Sequence, residues 1–198
     1  MADTPATASA LNGALGTELT VLQAVATATI SEASTRSLIY LSTLSSGLVA
    51  VGFAAEAPAP LSALTFTVLP AIFMLGWFTV VRLVDTTVEN ITVRRRMERI
   101  REYFVTLDPR APALIALDDP HTGELGIRYS RSSFLFTMAS MVAAVNAVLG
   151  GALVALALLT AAGAPALGAQ FTGTTVGAGL LSATLIYERR RIRLATSR

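Results

Sequence analysis

Four apolar runs set the limits on what this chain can fold into: residues 37–55 (SLIYLSTLSSGLVAVGFAA), 61–83 (LSALTFTVLPAIFMLGWFTVVRL), 133–160 (SFLFTMASMVAAVNAVLGGALVALALLT) and 167–187 (LGAQFTGTTVGAGLLSATLIY). A helix needs about 20 apolar residues to cross the hydrocarbon of a bilayer, and each run meets that length. Buried instead in water-soluble form, four such runs would require a polar coat. The composition does not provide one: 53% of residues are hydrophobic and only 14% charged, with a mean hydropathy of +0.61. The expected fold class is therefore all-α, a polytopic membrane protein with four transmembrane helices, two of them extended into a cytoplasmic helical stalk.

The arginines give that fold a direction. All fifteen basic residues are arginine, a usage that fits a GC-rich bacterial genome. Arg36 precedes the first run. Arg82, Arg94, Arg95, Arg96, Arg99, Arg101, Arg110, Arg128 and Arg131 lie between the second and third, and Arg189, Arg190, Arg191, Arg193 and Arg198 follow the fourth. The connections EAPAP (56–60) and AAGAPA (161–166) hold none. Since arginine-rich short loops stay in the cytoplasm, both termini and the middle segment are expected there, in a bacterial inner membrane. The start carries Asp3 rather than a basic cluster, so it does not read as a signal peptide. The Asn90-Ile91-Thr92 sequon would then face the cytoplasm, where glycosylation is not expected.

The organisation that follows is a cytoplasmic tail and amphipathic helix (1–36), a first transmembrane hairpin (37–83), a cytoplasmic helix and loop (84–132), a second hairpin (133–187) and a basic cytoplasmic tail (188–198). Leu15, Leu19, Leu22, Ala26, Ile30 and Ala33 recur at helical spacing ahead of the first span. Val93, Met97, Ile100 and Phe104 do the same after the second, with Glu98 at pairing distance from Arg94 and Arg101. These four form a candidate seam of the stalk, for a partner protein or another copy. Arg189, Arg190, Arg191 and Arg193 are placed to meet anionic lipid headgroups.

Within the spans the clearest signals concern packing. Ala139, Ala143, Ala147, Gly151 and Ala155 form a ladder of small residues at spacing four, and Gly173 and Gly177 form a GxxxG pair, so backbones can approach closely. Asn146, at mid-span, admits two readings, an interhelical hydrogen bond or a pore-lining amide. Pro70 should kink or loosen the second span. Asp85 and Glu89 sit one turn apart below the membrane edge. Arg82 or Arg36 could answer their repulsion, or in an oligomer they could ring a pore mouth. No ionisable side chain is expected deep in a span, which weighs against proton-coupled transport.

Chemistry outside the membrane is sparse. Without cysteine there is no thiolate or disulfide, and no HExxH, GxSxG or phosphate-loop motif occurs, so no enzyme, metal or cofactor is expected and no nucleic acid as partner. Asp118, Asp119, His121 and Glu124 in DDPHTGE read as a polar turn, since zinc would want a second His or a Cys. A small hairpin is expected around Leu125, Ile127 and Tyr129.

The stretches "LIYLSTLSSGLVAVGF" and "GWFTVVRLVDTTVENITVRRRMERIREYF" resemble an uncharacterised group of small four-span integral membrane proteins of GC-rich bacteria, whose second span runs into a Glu- and Arg-rich helix with an IRxYF-like end. The resemblance covers about residues 36–105. It implies a defined juncture at Arg82, Asp85, Glu89, Arg99, Arg101 and Tyr103, and carries over no functional residue. The function expected is that of a non-catalytic scaffold or regulatory subunit. The alternatives are a small oligomeric ion channel or membrane effector, and third a transporter.

Overall fold

The structure, a computed structural model, describes residues 5–54, 58–115 and 137–196. Five helices account for nearly all of them: α1 (Pro5–Ala54), α2 (Pro58–Val105), α3 (Ala111–Leu114), α4 (Met138–Ala161) and α5 (Ala166–Thr196), with no strand among the described residues. Proline marks the starts. Pro5 and Pro58 open α1 and α2, where a missing N–H costs nothing and the ring presets the helical φ. Pro70 lies within α2, which stays continuous around it. Its ring leaves one carbonyl without an intrahelical donor, a defect that helices in apolar packing tolerate.

Among the described residues three helices are long and apolar enough to cross a membrane: Ser9–Ala54, Leu64–Val105 and Met138–Ala161, with best-window hydropathies of 1.6, 2.0 and 2.3. The fourth expected span falls on α5, which is long enough at 31 residues but less apolar. Gln170, Thr172, Thr174 and Thr175 together with its glycines lower its hydropathy. Only 17, 33 and 39% of the three apolar windows is buried within the chain. Phe53, Met74, Phe78 and Phe171 are among the large apolar side chains left outside. An outer surface of that kind suits an apolar surrounding rather than water.

The chain divides into two compact units, one of residues 5–32 and 86–115, the other of 33–54, 58–85 and 137–196. In the first, Leu22, Ala26 and Thr29 of α1 are buried, as is Thr86 of α2. Asn90 donates from Nδ2 to the Ala26 carbonyl at 3.3 Å and to Thr29 Oγ1 at 3.0 Å, while Tyr103 Oη donates to Asn12 Oδ1 at 3.2 Å. These bonds pin α1 to α2 at two levels. In the second unit, Tyr40, Leu44, Leu69, Ile72, Val80, Leu83, Val84, Val142 and Leu149 form the core with Ala139 and Ala143.

Helices α4 and α5 form a hairpin closed by Gly163, whose φ of 61° lies in the left-handed region that favours glycine. The Ala164 N–H returns to the Leu158 carbonyl at 3.1 Å. The two helices touch backbone to backbone. A Cβ built on Gly151 would lie 2.5 Å from the Gly173 carbonyl oxygen, and one on Gly177 3.0 Å from that of Ala147. The expected tail 188–198 is not a separate segment, because α5 runs on through it to Thr196. The expected cluster Asp118, Asp119, His121 and Glu124 and the hairpin at Leu125, Ile127 and Tyr129 lie outside the described residues.

Candidate functional site

Among the described residues, the polar contacts of Asn146, Glu188 and Asp85 and one exposed face are the features on which a function can be built. The first contact lies at Asn146 in α4, which is 3% exposed. Tyr40 Oη, from α1, donates to Asn146 Oδ1 at 3.2 Å. Gly76 in α2 supplies the space: a methyl there would overlap the Asn146 amide and come within 2.7 Å of the Tyr40 ring. Three helices thus meet at one hydroxyl, one amide and one missing side chain. Beside it is a cavity of about 10 Å³ lined by Phe73, Trp77, Val80, Ala143, Leu180 and Thr184. That volume holds one water at most.

The second contact was not legible from composition. Thr137 caps α4 with extended backbone (φ −74°, ψ 157°), and its Oγ1 accepts from the Ser140 N–H at 3.1 Å. The same hydroxyl donates to Glu188 Oε1 of α5 at 2.6 Å, so a glutamate on one helix completes the cap of another. Glu188 is 1% exposed, and its Oε2 has no hydrogen-bond partner among the described residues. Burial pushes the carboxyl above the ordinary carboxylate value near 4.5, against the weaker pull of the Thr137 hydroxyl. Read by charge, Glu188 belongs to the basic tail. The signal that finds it is register, since Gly173, Gly177, Thr184 and Glu188 share one face of α5.

Third, Arg191 donates from Nη2 to Asp85 Oδ1 at 2.6 Å. Asp85 therefore has a partner on α5, in addition to the Arg82 and Arg36 that the sequence offered. Arg189, Arg190 and Arg193 are exposed, as is Glu89 on α2. Of the packing residues, Ala143, Ala147, Gly151, Gly173 and Gly177 are all buried. A groove of about 590 Å³ runs alongside the α4–α5 contact, lined by Ala147, Gly151, Ala155, Gly173 and Gly177 among others.

The exposed face belongs to α1. Val93, Met97, Ile100 and Phe104, expected as a seam, are each half-buried on the helix that Asn90 and Tyr103 tie to α1. The large apolar side chains left open in this unit lie mainly on α1 instead: Leu11, Val21, Val25 and Ile30 are 48, 50, 41 and 51% exposed. Glu18 is the one charged residue between Ser9 and Ser31. On α2, residues 94–102 carry Arg94, Arg95, Arg96, Glu98, Arg99, Arg101 and Glu102, and Arg94 Nε donates to Asn90 Oδ1 at 2.7 Å. The amide nitrogen of the Asn90 sequon is itself bonded to α1.

Among the described residues no cluster of three or more His, Cys, Asp or Glu is placed to hold a metal ion. No protein-family model, no curated protein and no solved structure matches the chain. The functional reading therefore stands on the chain's own geometry.

Proposed function

We propose that the chain is a non-catalytic, four-span protein of the bacterial inner membrane with both termini cytoplasmic. It serves as a scaffold or regulatory subunit that binds a partner or itself through its cytoplasmic helix pair. The observation that carries this reading is the open apolar face of α1, at residues 9–31, beyond the span at 37–55. A water-exposed helix ordinarily shows charge there, and an uncharged apolar face is ordinarily covered.

Two further features support it. The hydroxyls of Thr172, Thr174, Thr175, Ser182 and Thr184 each donate to the carbonyl four residues back, which satisfies the polar groups of α5 within the helix and suits it to lipid. Asn146 accepts from Tyr40 in the core and the partly exposed Asp85 pairs with Arg191, contacts that suit a packed bundle. Arg189, Arg190 and Arg193 would meet anionic headgroups at the cytoplasmic surface.

The test is ion flux from liposomes containing the purified protein and its Glu89→Gln variant, with the mass of the assembly recorded in the same preparation. The scaffold reading expects no flux from a correctly inserted protein. Flux that falls with Glu89→Gln or Asn146→Leu refutes it in favour of a channel.

A further inference from the structure

We infer that the stripe Leu11, Ala14, Glu18, Val21, Val25 and Ala28 of α1 is a homotypic interface, covered by the same stripe of a second copy as a parallel two-helix seam. The inference deepens the scaffold reading and rests on it. Its ground is spacing combined with exposure. From Leu11 to Ala28 the six residues follow one another at intervals of three and four, the repeat that keeps side chains along a single seam between supercoiled helices. All six are exposed. The neighbouring stripe Leu22, Ala26 and Thr29 is buried, and Asn90 of α2 bonds to it. Helix α1 therefore carries two seams, one already used within the chain and one open.

Charge selects the occupant. An acidic partner would be drawn to the arginines of α2, and a basic one has only Glu18 to meet between Ser9 and Ser31 of α1. What fits a nearly neutral stripe of Leu, Ala and Val is another neutral stripe, and this protein has one to offer. Symmetric pairing through residues 94–102 of α2 would set arginine against arginine, which like-charge repulsion opposes. Pairing through α1 meets no such cost except at Glu18.

Topology supplies the register. Copies inserted in one bilayer with the same orientation present their α1 helices parallel and at the same height. Residue 21 then meets residue 21, and the small Ala14 and Ala28 let the backbones approach. A two-fold interface of this kind is self-complementary by construction. It also brings Glu18 opposite Glu18, a repulsion that a different partner protein would have no reason to contain. Glu18 thus acts as a built-in limit on the strength of association, much as a polar seam residue trades stability for register.

The chain has no cysteine, so a single introduced thiol reports one position. The experiment compares disulfide formation in membranes by Val21→Cys and Val25→Cys with that by Ala24→Cys and Thr27→Cys, which are exposed and lie outside the stripe, at its flank and beyond. Glu18→Leu is measured separately for dimer affinity. The expected result is dimer cross-linking at 21 and 25 but not at 24 and 27, with Glu18→Leu tightening the dimer by roughly tenfold or more. Assembly that cross-links equally at all four positions, or only at 24 and 27, overturns the interface and leaves the scaffold standing. A monomer in which 21 and 25 are shielded from maleimide overturns the second copy in favour of another protein. A monomer in which both label freely sinks the inference and the scaffold reading together.

Discussion

Gly151→Ala is a direct test of the α4–α5 contact. The new Cβ would lie 2.5 Å from the Gly173 carbonyl oxygen and 3.3 Å from the Gly177 Cα, both backbone atoms that cannot turn aside. To reach an ordinary contact of 3.4 Å the helices must part by roughly 0.9 Å, and a gap of that size forfeits about a quarter to a half of each dispersion contact along the ladder. Overpacking of this kind costs about 1–3 kcal/mol, offset by up to about 1 kcal/mol from alanine's better helix propensity. With the full offset, a net loss of about 0–2 kcal/mol is expected on those two terms, against a gain at an uncrowded glycine. Gly173→Ala should behave alike, since its Cβ would lie 2.5 Å from the Gly151 carbonyl and 2.8 Å from the Ala155 methyl. One separation accommodates both, so the double variant should cost clearly less than the sum. Gly179, with nothing within 4 Å of its Cβ position, is the control. Reversible unfolding in mixed micelles reads all four proteins. If Gly151→Ala is no more destabilising than Gly179→Ala, or the two close glycines are strictly additive, the backbone contact is not as described.

Glu188 makes stability depend on pH. Its carboxyl titrates above 4.5 when folded, so its stabilising share is whole below that value and is lost as pH climbs through the raised folded value. Glu188→Gln should flatten that decline in a thermal-unfolding series, and parallel curves for the two proteins would contradict the burial. Tyr40→Phe removes the donor to Asn146 and should cost about 1 kcal/mol, the usual size for a hydrogen bond between helices in lipid. If it costs nothing, Asn146 has another donor. Arg191→Gln breaks a half-exposed ion pair and should leave stability essentially unchanged. A larger loss by the same unfolding assay would mean that Asp85 is more deeply enclosed than it is here.

Much of the helical fold can be read from the sequence, because apolar length acts at the scale of whole helices. The span 133–160 and helix α4 differ mainly in where they begin, since Thr137 supplies a cap that a hydropathy count does not see. The fourth run is less plain. Its threonines count as polar one by one, yet their bonds to their own helix's carbonyls are visible only in three dimensions. The candidate site was harder still. Asn146 could be picked out as a mid-span amide, but not its link to Tyr40, 106 residues away. Glu188 and Arg191 look alike in a string of charges. Helical register turns one inward to Thr137 and sends the other to Asp85. On α1 the periodic apolar residues invited a single stripe, whereas Leu22 is buried and Ile30 is exposed, so the helix has more apolar surface than α2 can cover.

The meeting of Tyr40, Gly76 and Asn146 also bears on the order in which the protein is made. Synthesis delivers α1 and α2 first, so the phenol and the notch left by a missing side chain are in place before the ribosome has finished the helix that bears the amide. When α4 arrives, its one strongly polar mid-helix group finds the Tyr40 hydroxyl waiting as a donor, and on the membrane reading proposed above little time is spent with a carboxamide facing lipid. A circular permutant that begins with the second hairpin would reverse this sequence. It would ask the same amide to enter the bilayer alone, and insertion rather than final stability would suffer first.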